Sequence, residues 1–395
     1  MPKYDVTKLL YKRSEKNRFL NELDIPERYI KIMLAARVLV RNKIKSAFTI
    51  ARTDEYLLAS LNEDQRNALQ SIEPRFKSQG SFVYKTQNMP AKNPPQQIDL
   101  DDGAYLPIEA MRDAPILNKE IFFNIVDNAL IQLALEQGWK FITKDTCARL
   151  EITSEIHLDV PLYAIPKDRF QALEKAMGRS ANLDQSHIFA ESKKYLEDDE
   201  IYLARRNTKH WVKSDPIQIY NWFIESIETH GEILRRVCRY LKAWRDQEWA
   251  SGGPSSIALM ICATNVFDDN IAGFDNDSVA IATVFSRLSN YLNEGVKNPR
   301  DEDETIFPRG LNDNEIKSII TKTERAAVDL NKALNTGASS SEVIKIFQQY
   351  FGLRIPNRSD WVEHIGTATS AAAAVLTTPI RKTSSPKVPS NMTAG

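Results

Sequence analysis

The sequence predicts an α+β protein of two lobes, in which a small mixed sheet backed by helices is followed by a helical lobe. Between about 70 and 170 apolar residues alternate with polar ones in several short segments, and from about 211 onward they recur at helical spacing. A chain of 395 residues and 45.0 kDa is also too long to fold around a single hydrophobic core. We therefore expect an N-terminal helical segment (1–60) that packs on a sheet-containing core (61–210), followed by a helical lobe (211–366) and a disordered tail (367–395).

The composition disfavours several classes of protein. No apolar run is long enough for a membrane span, and the N-terminus lacks the apolar region of a secretory signal. The cysteines Cys147, Cys238 and Cys262 lie far apart and form no CxxC pair, which fits a reducing cytoplasm. The 52 basic and 52 acidic side chains cancel, whereas dedicated duplex-nucleic-acid binders are usually basic.

Two long helices are predicted in the first 140 residues. The first follows Asp24, which has capping-box spacing to Glu27, with Pro26 in the first turn. Apolar residues then recur at helical intervals up to Phe48. A second helix begins after Asn118 and ends at Gly138.

The predicted strands explain three closely spaced acids in "QQIDLDDGAYLP". Side chains at i and i+2 of a strand share a face, so Asp99 and Asp101 point one way while Ile98 and Leu100 enter the core. Read alone, "DDG" at Asp101 to Gly103 is typical of a solvated turn. A calcium loop counted from Asp99 fails, because it needs a carboxylate at position 5 and a glutamate at position 12.

Two further segments place polar side chains on the same kind of face. In "EIHLDVP" His157 and Asp159 alternate with buried residues, and in "CARLEIT" Arg149 does the same. If these strands are neighbours, one surface carries Asp99, Asp101, Asp159 and Arg149. Three carboxylates on one surface are costly unless divalent cations lie between them, so we expect magnesium there.

A Gly-Ser pair precedes these acids in "RFKSQGSFVYKT". Gly80 allows the backbone close to a triphosphate, and Ser81 offers a hydroxyl and an N–H to the phosphates. Gly-Ser, Asp-x-Asp and a third strand aspartate, in this order, resemble the polymerase-β-like nucleotidyltransferases. The spacing from Ser81 to Asp99 is longer than that superfamily usually shows.

The segments "PRFKSQGSFVY", "IDLDDGAYLP", "HLDVPLYAIPKDRFQ", "VCRYLKAWRDQEW" and "GGPSSIALM" closely resemble the bacterial cyclic GMP-AMP synthases. These are dinucleotide cyclases of anti-phage signalling operons. The resemblance runs from about residue 65 to 310 and includes the small-residue ending "SNMTAG". It implies synthesis of 3′,3′-cyclic GMP-AMP, a second messenger, from ATP and GTP, with release of pyrophosphate.

The resemblance also implies roles for individual residues. Asp99, Asp101 and Asp159 match the catalytic, metal-binding triad, which holds two Mg²⁺ ions, with Mn²⁺ as an alternative. Gln79, Gly80, Ser81 and Tyr84 match a nucleotide-cradling loop, in which Tyr84 stacks on a base. Arg149 matches a contact to the donor nucleotide. Lys242 and Ser256 match phosphate contacts on the helical lobe, and Asp303 matches an acid that contacts a base.

Plainer structural roles are expected for several neighbours. Arg245 and Asp246 read as solvated helix residues and Trp244 as a core residue. Ser255 and Ser256 have the positions of helix caps before Ile257. His157, beside the triad, is interpreted as a hydrogen-bonding neighbour of the metal ligands, since magnesium prefers oxygen.

The expected partners also follow from the resemblance. A ubiquitin-activating-type operon partner would join the carboxylate of Gly395 to other molecules, and a downstream effector would bind the cyclic product. No DNA is required. An RNA-tailing nucleotidyltransferase shares the triad but needs a basic RNA path, and a nucleotide-binding pseudoenzyme would not need an intact triad. An animal-type DNA sensor would carry a His/Cys zinc ribbon, which the sequence lacks.

Overall fold

The computed structural model describes residues 3–13, 15–108, 110–111, 114–115, 119–166, 201–214 and 216–365. The expectations for the tail (367–395) and for Gly395 lie outside these ranges. The described helices are α1 (Thr7–Leu10), α2 (Phe19–Glu22), α3 (Glu27–Ala51), α4 (Glu55–Ser60), α5 (Glu63–Ser71), α6 (Gly80–Tyr84), α7 (Lys119–Gln137), α8 (Pro216–His230), α9 (Glu232–Glu248), α10 (Ser256–Asp268), α11 (Asp277–Glu294), α12 (Asp313–Thr336) and α13 (Ser340–Phe351).

The strands form one main sheet and three short pairs. The main sheet contains β2 (Arg75–Gln79), β3 (Ile98–Ile108), β6 (Lys140–Thr143), β7 (Cys147–Thr153), β8 (Ile156–Pro166), β9 (Tyr202–Leu203) and β10 (Val212–Lys213). The pairs are β1 (Tyr4–Asp5) with β13 (Glu363–His364), β4 (Ala110–Met111) with β5 (Ala114–Pro115), and β11 (Val296–Asn298) with β12 (Asp301–Phe307).

The main sheet is mixed, as the alternating segments predict. Its central strands β3 and β8 run parallel, and β2 pairs with the other edge of β3 in antiparallel register. Strand β7 pairs antiparallel with the first half of β8, and β9 pairs with its second half. The two strands predicted to carry the acids and the strand predicted to carry Arg149 are therefore neighbours.

The two faces of the sheet meet different cores. Even-numbered residues such as Leu100 and Leu158 are buried against α3 and α7 in one hydrophobic cluster. Odd-numbered residues face the other way, and farther along the strands Tyr105 and Tyr163 join the core of the helical lobe. The two-residue period of a strand thus separates a buried face from a face that lines the space between the lobes.

The predicted N-terminal segment 1–60 divides between the lobes. Residues of β1, α1 and α2, up to Leu23, belong to the core of the helical lobe, whereas α3 packs on the sheet. Strand β1 also pairs with β13, at the far end of the described chain. The N-terminal segment therefore does not pack on the sheet core alone, which corrects the prediction.

The start of α3 also differs from the prediction. Pro26 occupies the N-cap and no side chain caps the helix. Asp24, the predicted cap, instead accepts a hydrogen bond from Arg239 Nη2 in the other lobe, at 2.9 Å. A charged arginine is a stronger partner for a carboxylate than a backbone N–H.

Among the described residues, no helix is long and apolar enough to cross a membrane.

Candidate active site

Strand register brings the predicted acids together. In the parallel pair β3–β8, Asp99 lies opposite His157 and Asp101 lies opposite Asp159. In the antiparallel pair β7–β8, Arg149 lies opposite Asp159. The space between the lobes is a cleft of about 800 Å³, and Asp99, Asp101, His157 and Arg149 line it.

Asp102, the third acid of the segment "QQIDLDDGAYLP", has a different environment. It lies within β3 rather than in a turn, is fully buried on the opposite face, and receives two hydrogen bonds from Arg41 of α3 at 2.6 and 2.5 Å. Ser78 of β2 adds a third hydrogen bond, at 2.9 Å. Asp102 therefore joins α3 to the sheet directly behind the acids of the cleft.

The acids of the cleft have pKa values that are shifted in opposite directions. Burial raises the pKa of Asp101 well above its ordinary value, and the carboxylates of Asp99 and Asp159 raise it further. Burial also acts to raise the pKa of Asp99, but His157 in its protonated form, Arg149 and Lys242 outweigh it and hold that pKa below its ordinary value. Perturbed pKa values of this kind cluster at functional sites.

Arg149 compensates part of this charge. Its Nε and Nη2 donate hydrogen bonds to the two carboxylate oxygens of Asp159, each at 2.7 Å. A bidentate pair of this kind fixes the orientation of the carboxylate. The predicted donor-nucleotide contact is thus also a direct partner of the third acid.

The Gly-Ser motif lies against the acids. Gly80 adopts a positive φ of 65°, and a Cβ there would clash with the Asp101 carboxylate. Glycine therefore allows the backbone to pass beside the acid. The segment from Gly80 to Tyr84 is a short helix rather than a loop, and Ser81 lines the cleft.

Two residues assigned to the nucleotide-cradling loop have partners within the protein. Gln79 donates a hydrogen bond to the Tyr163 hydroxyl at 2.9 Å and accepts one from the Tyr105 hydroxyl at 3.3 Å. Its side chain is buried at the end of β2, and Gln79, unlike Gly80 and Ser81, does not line the cleft. Tyr84 lines the cleft but stacks on Tyr220 of α8, with ring centroids 6.1 Å apart.

The helical lobe contributes cations to the opposite wall. Lys242 and Arg245, three residues apart on α9, both line the cleft. Burial lowers the pKa of Lys242 to about 8, and its ammonium donates a hydrogen bond to the Thr86 carbonyl at 2.6 Å. Arg245 binds the Asp246 carboxylate at 2.9 and 2.7 Å and Ser256 Oγ at 2.8 Å.

Some helix residues differ from their predicted roles. Arg245 and Asp246 are not solvated helix residues, because both form part of the cleft wall. Helix α10 begins at Ser256, one residue before the expected start, and Ser255 caps it by accepting a hydrogen bond from the Ala258 N–H. Trp244 is buried in the core, as expected.

The acid predicted at Asp303 does not line the cleft. Asp303 is exposed on β12, and its neighbours Glu304 and Ile306 are the residues of this strand that line the cleft. Glu304 accepts hydrogen bonds from Asn298 at 2.6 Å and from Arg309 at 2.5 Å, and both of these residues also line it. The acidic side chain at this end of the cleft is therefore Glu304.

The long spacing between Ser81 and Asp99 forms a strap, residues 85–97, that crosses to α9. Asn88 exchanges two hydrogen bonds with Arg239, at 2.8 and 2.9 Å. Gln96 donates hydrogen bonds to the backbone carbonyls of Asp246 and Trp249, at 2.8 and 2.7 Å. The strap therefore ties the strand that carries the acids to the helix that carries the cations.

Two further residues, His157 and Gln97, lie beside the acids. His157 Nε2 lies 2.9 Å from Asp99 Oδ1, and its Nδ1 lies 3.1 Å from Gln97 Oε1. One carboxylate oxygen from each of Asp99 and Asp159, together with a ring nitrogen of His157, lie within 4.8 Å of one another. The alternation of the strand predicted the correct face for His157. The contact of Gln97 with His157 depends on the pairing of β3 with β8, which the sequence alone does not reveal.

Comparisons with known proteins agree on one family. Residues 74–163 match the nucleotidyltransferase domain described as cyclic GMP-AMP synthase DncV-like, and residues 231–364 match the cyclic GMP-AMP synthase C-terminal domain. A cyclic GMP-AMP synthase of Escherichia coli is 34% identical over 86% of this chain and 80% of its own length. One of Vibrio cholerae is 35% identical over 76% of this chain and 72% of its own.

Solved structures of these relatives share the fold. The Vibrio cholerae DncV cyclic AMP-GMP synthase in complex with the linear intermediate 5′-pppA(3′,5′)pG superposes with a TM-score of 0.79, at 27% identity, covering 93% of this chain and all of that one. A Vibrio cholerae dinucleotide cyclase in complex with ATP, GTP and 5MTHFGLU2 gives 0.78 at 28% identity, covering 91% and 99%.

Proposed function

Since the chain belongs to the family of DncV-like cyclic GMP-AMP synthases, we propose that it joins ATP and GTP into 3′,3′-cyclic GMP-AMP and releases pyrophosphate. The chain is a nucleotidyltransferase with the mixed sheet and helical lobe of its relatives. One observation carries the proposal: the register of β3 and β8 sets Asp99, Asp101 and Asp159 on one face, with Gly80 against Asp101.

The donor set fits a divalent metal ion. Asp101 is buried among carboxylates that raise its pKa, and Asp99 Oδ1 is buried without a hydrogen-bond donor. Asp99, Asp101 and Asp159 would hold Mg²⁺ or Mn²⁺, with two ions as the expected number. When bound, such ions neutralise the triphosphate of the donor nucleotide and make the acceptor hydroxyl more acidic.

The residues around the acids divide the work of positioning two nucleotides. Gly80 and Ser81 offer backbone N–H groups and a hydroxyl to the donor phosphates beside Asp101. Arg149 keeps Asp159 oriented, and the Asp159 carboxylate accepts a hydrogen bond from the attacking 3′-hydroxyl. Lys242 and Arg245 supply positive charge to the phosphates of the second nucleotide. Catalysis then consists mainly of alignment and charge stabilisation.

Base recognition belongs to the far end of the cleft. The Glu304 carboxylate, oriented by Asn298 and Arg309, presents acceptors that match the N1–H and amino group of guanine. Adenine has no donor at N1, so this arrangement favours GTP at that site. The linear intermediate then turns over, and a second transfer at the same acids closes the ring.

The wider biology follows the family. The cyclic product serves as a second messenger for an effector in anti-phage defence, and an operon partner of the ubiquitin-activating type acts on the carboxylate of Gly395. These statements concern partners and a tail outside the described residues, and they stay predictions.

A product analysis tests the central proposal. The purified chain is incubated with labelled ATP, GTP, CTP and UTP and a divalent ion, and products are identified by mass spectrometry before and after digestion by a 3′,5′-phosphodiesterase. We expect cyclic GMP-AMP, and none from the Asp99→Ala/Asp101→Ala variant. Untemplated tails on added RNA without cyclic product, or nucleotide binding without transfer, would overturn it.

A further inference from the structure

We propose that Nε2 of His157 is a ligand of the divalent ion held by Asp99 and Asp159, and that this nitrogen makes the site favour Mn²⁺ over Mg²⁺. The inference rests on the proposed function, which places a divalent ion at these acids. It goes beyond it by adding a nitrogen ligand to a set of oxygen ligands.

The orientation of Gln97 determines which ring nitrogen of His157 carries the proton. Gln97 Nε2 donates to the backbone carbonyls of Thr153 and Ser154, at 3.4 and 3.2 Å. Carbonyl oxygens only accept, so the amide nitrogen must face them and Oε1 must face His157 Nδ1, 3.1 Å away. Nδ1 therefore carries hydrogen, and Nε2 of the neutral ring presents a lone pair.

That lone pair points at the acids. His157 is 7% exposed, and its Nε2 is buried without a hydrogen-bond partner. Asp99 Oδ1, 2.9 Å away, is also buried without one, because the two atoms do not have hydrogen-bond geometry. Two facing acceptors repel each other unless a cation lies against both.

The spacing of these atoms matches a metal coordination shell. Metal–ligand bonds of about 2.1 Å place neighbouring ligand atoms of an octahedron about 3 Å apart. The 2.9 Å between His157 Nε2 and Asp99 Oδ1 has this length, and an Asp159 oxygen lies within 4.8 Å of both. Asp159 remains available, since a carboxylate oxygen bonded to Arg149 keeps a second lone pair.

Gln97 supplies the support that metal-binding histidines usually have. Such a histidine almost always donates its other N–H to an oxygen acceptor, which fixes the tautomer and the ring orientation. Gln97 Oε1 is that acceptor, and the amide is itself held by the β7–β8 turn. A nitrogen ligand suits transition-metal ions better than Mg²⁺, which strongly prefers oxygen.

Pulsed EPR detects this bond directly. The full-length protein is loaded with Mn²⁺ and 3′-deoxy ATP, which lacks the attacking hydroxyl, and electron spin-echo envelope modulation is recorded. We expect modulation from a coordinated ¹⁴N that changes to the ¹⁵N pattern when the protein carries ¹⁵N-histidine. Nucleobase nitrogens do not respond to that labelling, so the change identifies histidine.

Variants assign the signal to His157. His157→Gln loses the histidine modulation and binds Mn²⁺ about tenfold more weakly, with Mg²⁺ affinity changed less than about twofold. The exposed His210→Gln variant keeps both the signal and the affinity. Gln97→Leu weakens Mn²⁺ binding about tenfold, and Gln97→Glu restores it, because a carboxylate again accepts the Nδ1 hydrogen.

The possible failures are distinct. Mn²⁺ that binds without histidine modulation in the labelled wild-type protein would overturn the proposed nitrogen ligand and leave the proposed function intact. A protein that binds no Mn²⁺ in the presence of nucleotide would overturn both. The labelled wild-type measurement decides the question even if His157→Gln fails to fold.

Discussion

The ammonium of Lys242 donates a hydrogen bond to the backbone carbonyl of Thr86, 2.6 Å away. This bond links α9 of the helical lobe to the strap that precedes β3 and the acids. Lys242 is largely buried and lines the cleft, so its ammonium is held in place before any phosphate arrives. The relative position of the cations and the acids is thus set by direct contacts between the lobes.

The pKa of Lys242 predicts a pH-dependent contribution to stability. Burial lowers that pKa from 10.5 to about 8, so between these values the unfolded chain binds more protons at Lys242 than the folded chain. The contribution of Lys242 is therefore most favourable above pH 10.5 and is lost as pH falls through 8. Relative to Lys242→Met, the wild-type protein should gain about 3 kcal/mol of unfolding free energy over this window.

Urea denaturation of both proteins at several pH values between 7 and 10.5 measures the difference, in which other titrating groups cancel. A difference that does not change with pH would contradict the lowered pKa. In kinetic assays at pH 7.5, Lys242→Met should raise the KM for nucleotide, because one phosphate-binding charge is lost.

Asp101 and Asp102 are adjacent acids on opposite faces of β3, so the same substitution at each position gives a matched pair of variants. Asp101→Asn should abolish product formation and leave stability unchanged or increased, because a carboxylate among carboxylates is removed. Asp102→Asn should instead cost about 2 kcal/mol, because the partly exposed Arg41 loses a charged partner.

Thermal denaturation and product analysis of the two variants separate the roles. We expect Asp102→Asn to retain transfer at a temperature where it is still folded. Activity in Asp101→Asn comparable to that of the wild-type protein would refute the assignment of the acids.

The strap makes a prediction about cooperation between the lobes. Gln96 donates hydrogen bonds to the backbone carbonyls of Asp246 and Trp249 in the helical lobe. It also accepts a hydrogen bond from the Lys92 N–H. Gln96→Leu leaves these groups unpaired, and we expect a loss of about 1–3 kcal/mol. The KM for both nucleotides should rise, since the two walls of the cleft are less firmly aligned.

Gln70→Leu is a suitable control, because Gln70 is exposed and donates a hydrogen bond to the Arg52 carbonyl at the end of α3, at 2.7 Å and within the sheet lobe. It should affect neither quantity. Equal effects of the two substitutions would show that the strap contacts carry no special role.

The hairpin β11–β12 predicts base selectivity. Glu304→Gln should raise the KM for GTP by about tenfold or more and leave that for ATP nearly unchanged, because the amide replaces one acceptor by a donor. Asp303→Asn, on the exposed side of the same strand, should have no effect. The measurement is initial rate against each nucleotide with the other held saturating; the reverse pattern would restore Asp303 as the base contact.

Much of the site could be derived from local sequence. A strand alternates with a period of two, so Asp99 and Asp101 had to share a face, and so did His157 and Asp159. The order of the Gly-Ser pair, Asp-x-Asp and the later aspartate indicated the chemistry. These inferences held because they depend on spacing within single elements, which backbone geometry dictates.

Other features depend on which elements meet. Strand β12 pairs with β11, and the register of this pair shifts twice, at Lys297 and its neighbours. Matching the chain position by position to the family therefore did not show that Glu304 rather than Asp303 faces the cleft. Gln79 forms hydrogen bonds with two tyrosines from other strands, and Asp24 accepts a hydrogen bond from Arg239 in the other lobe. The partner of a long polar side chain is chosen by tertiary packing, because alternatives of similar strength compete and only the folded arrangement brings one of them within reach.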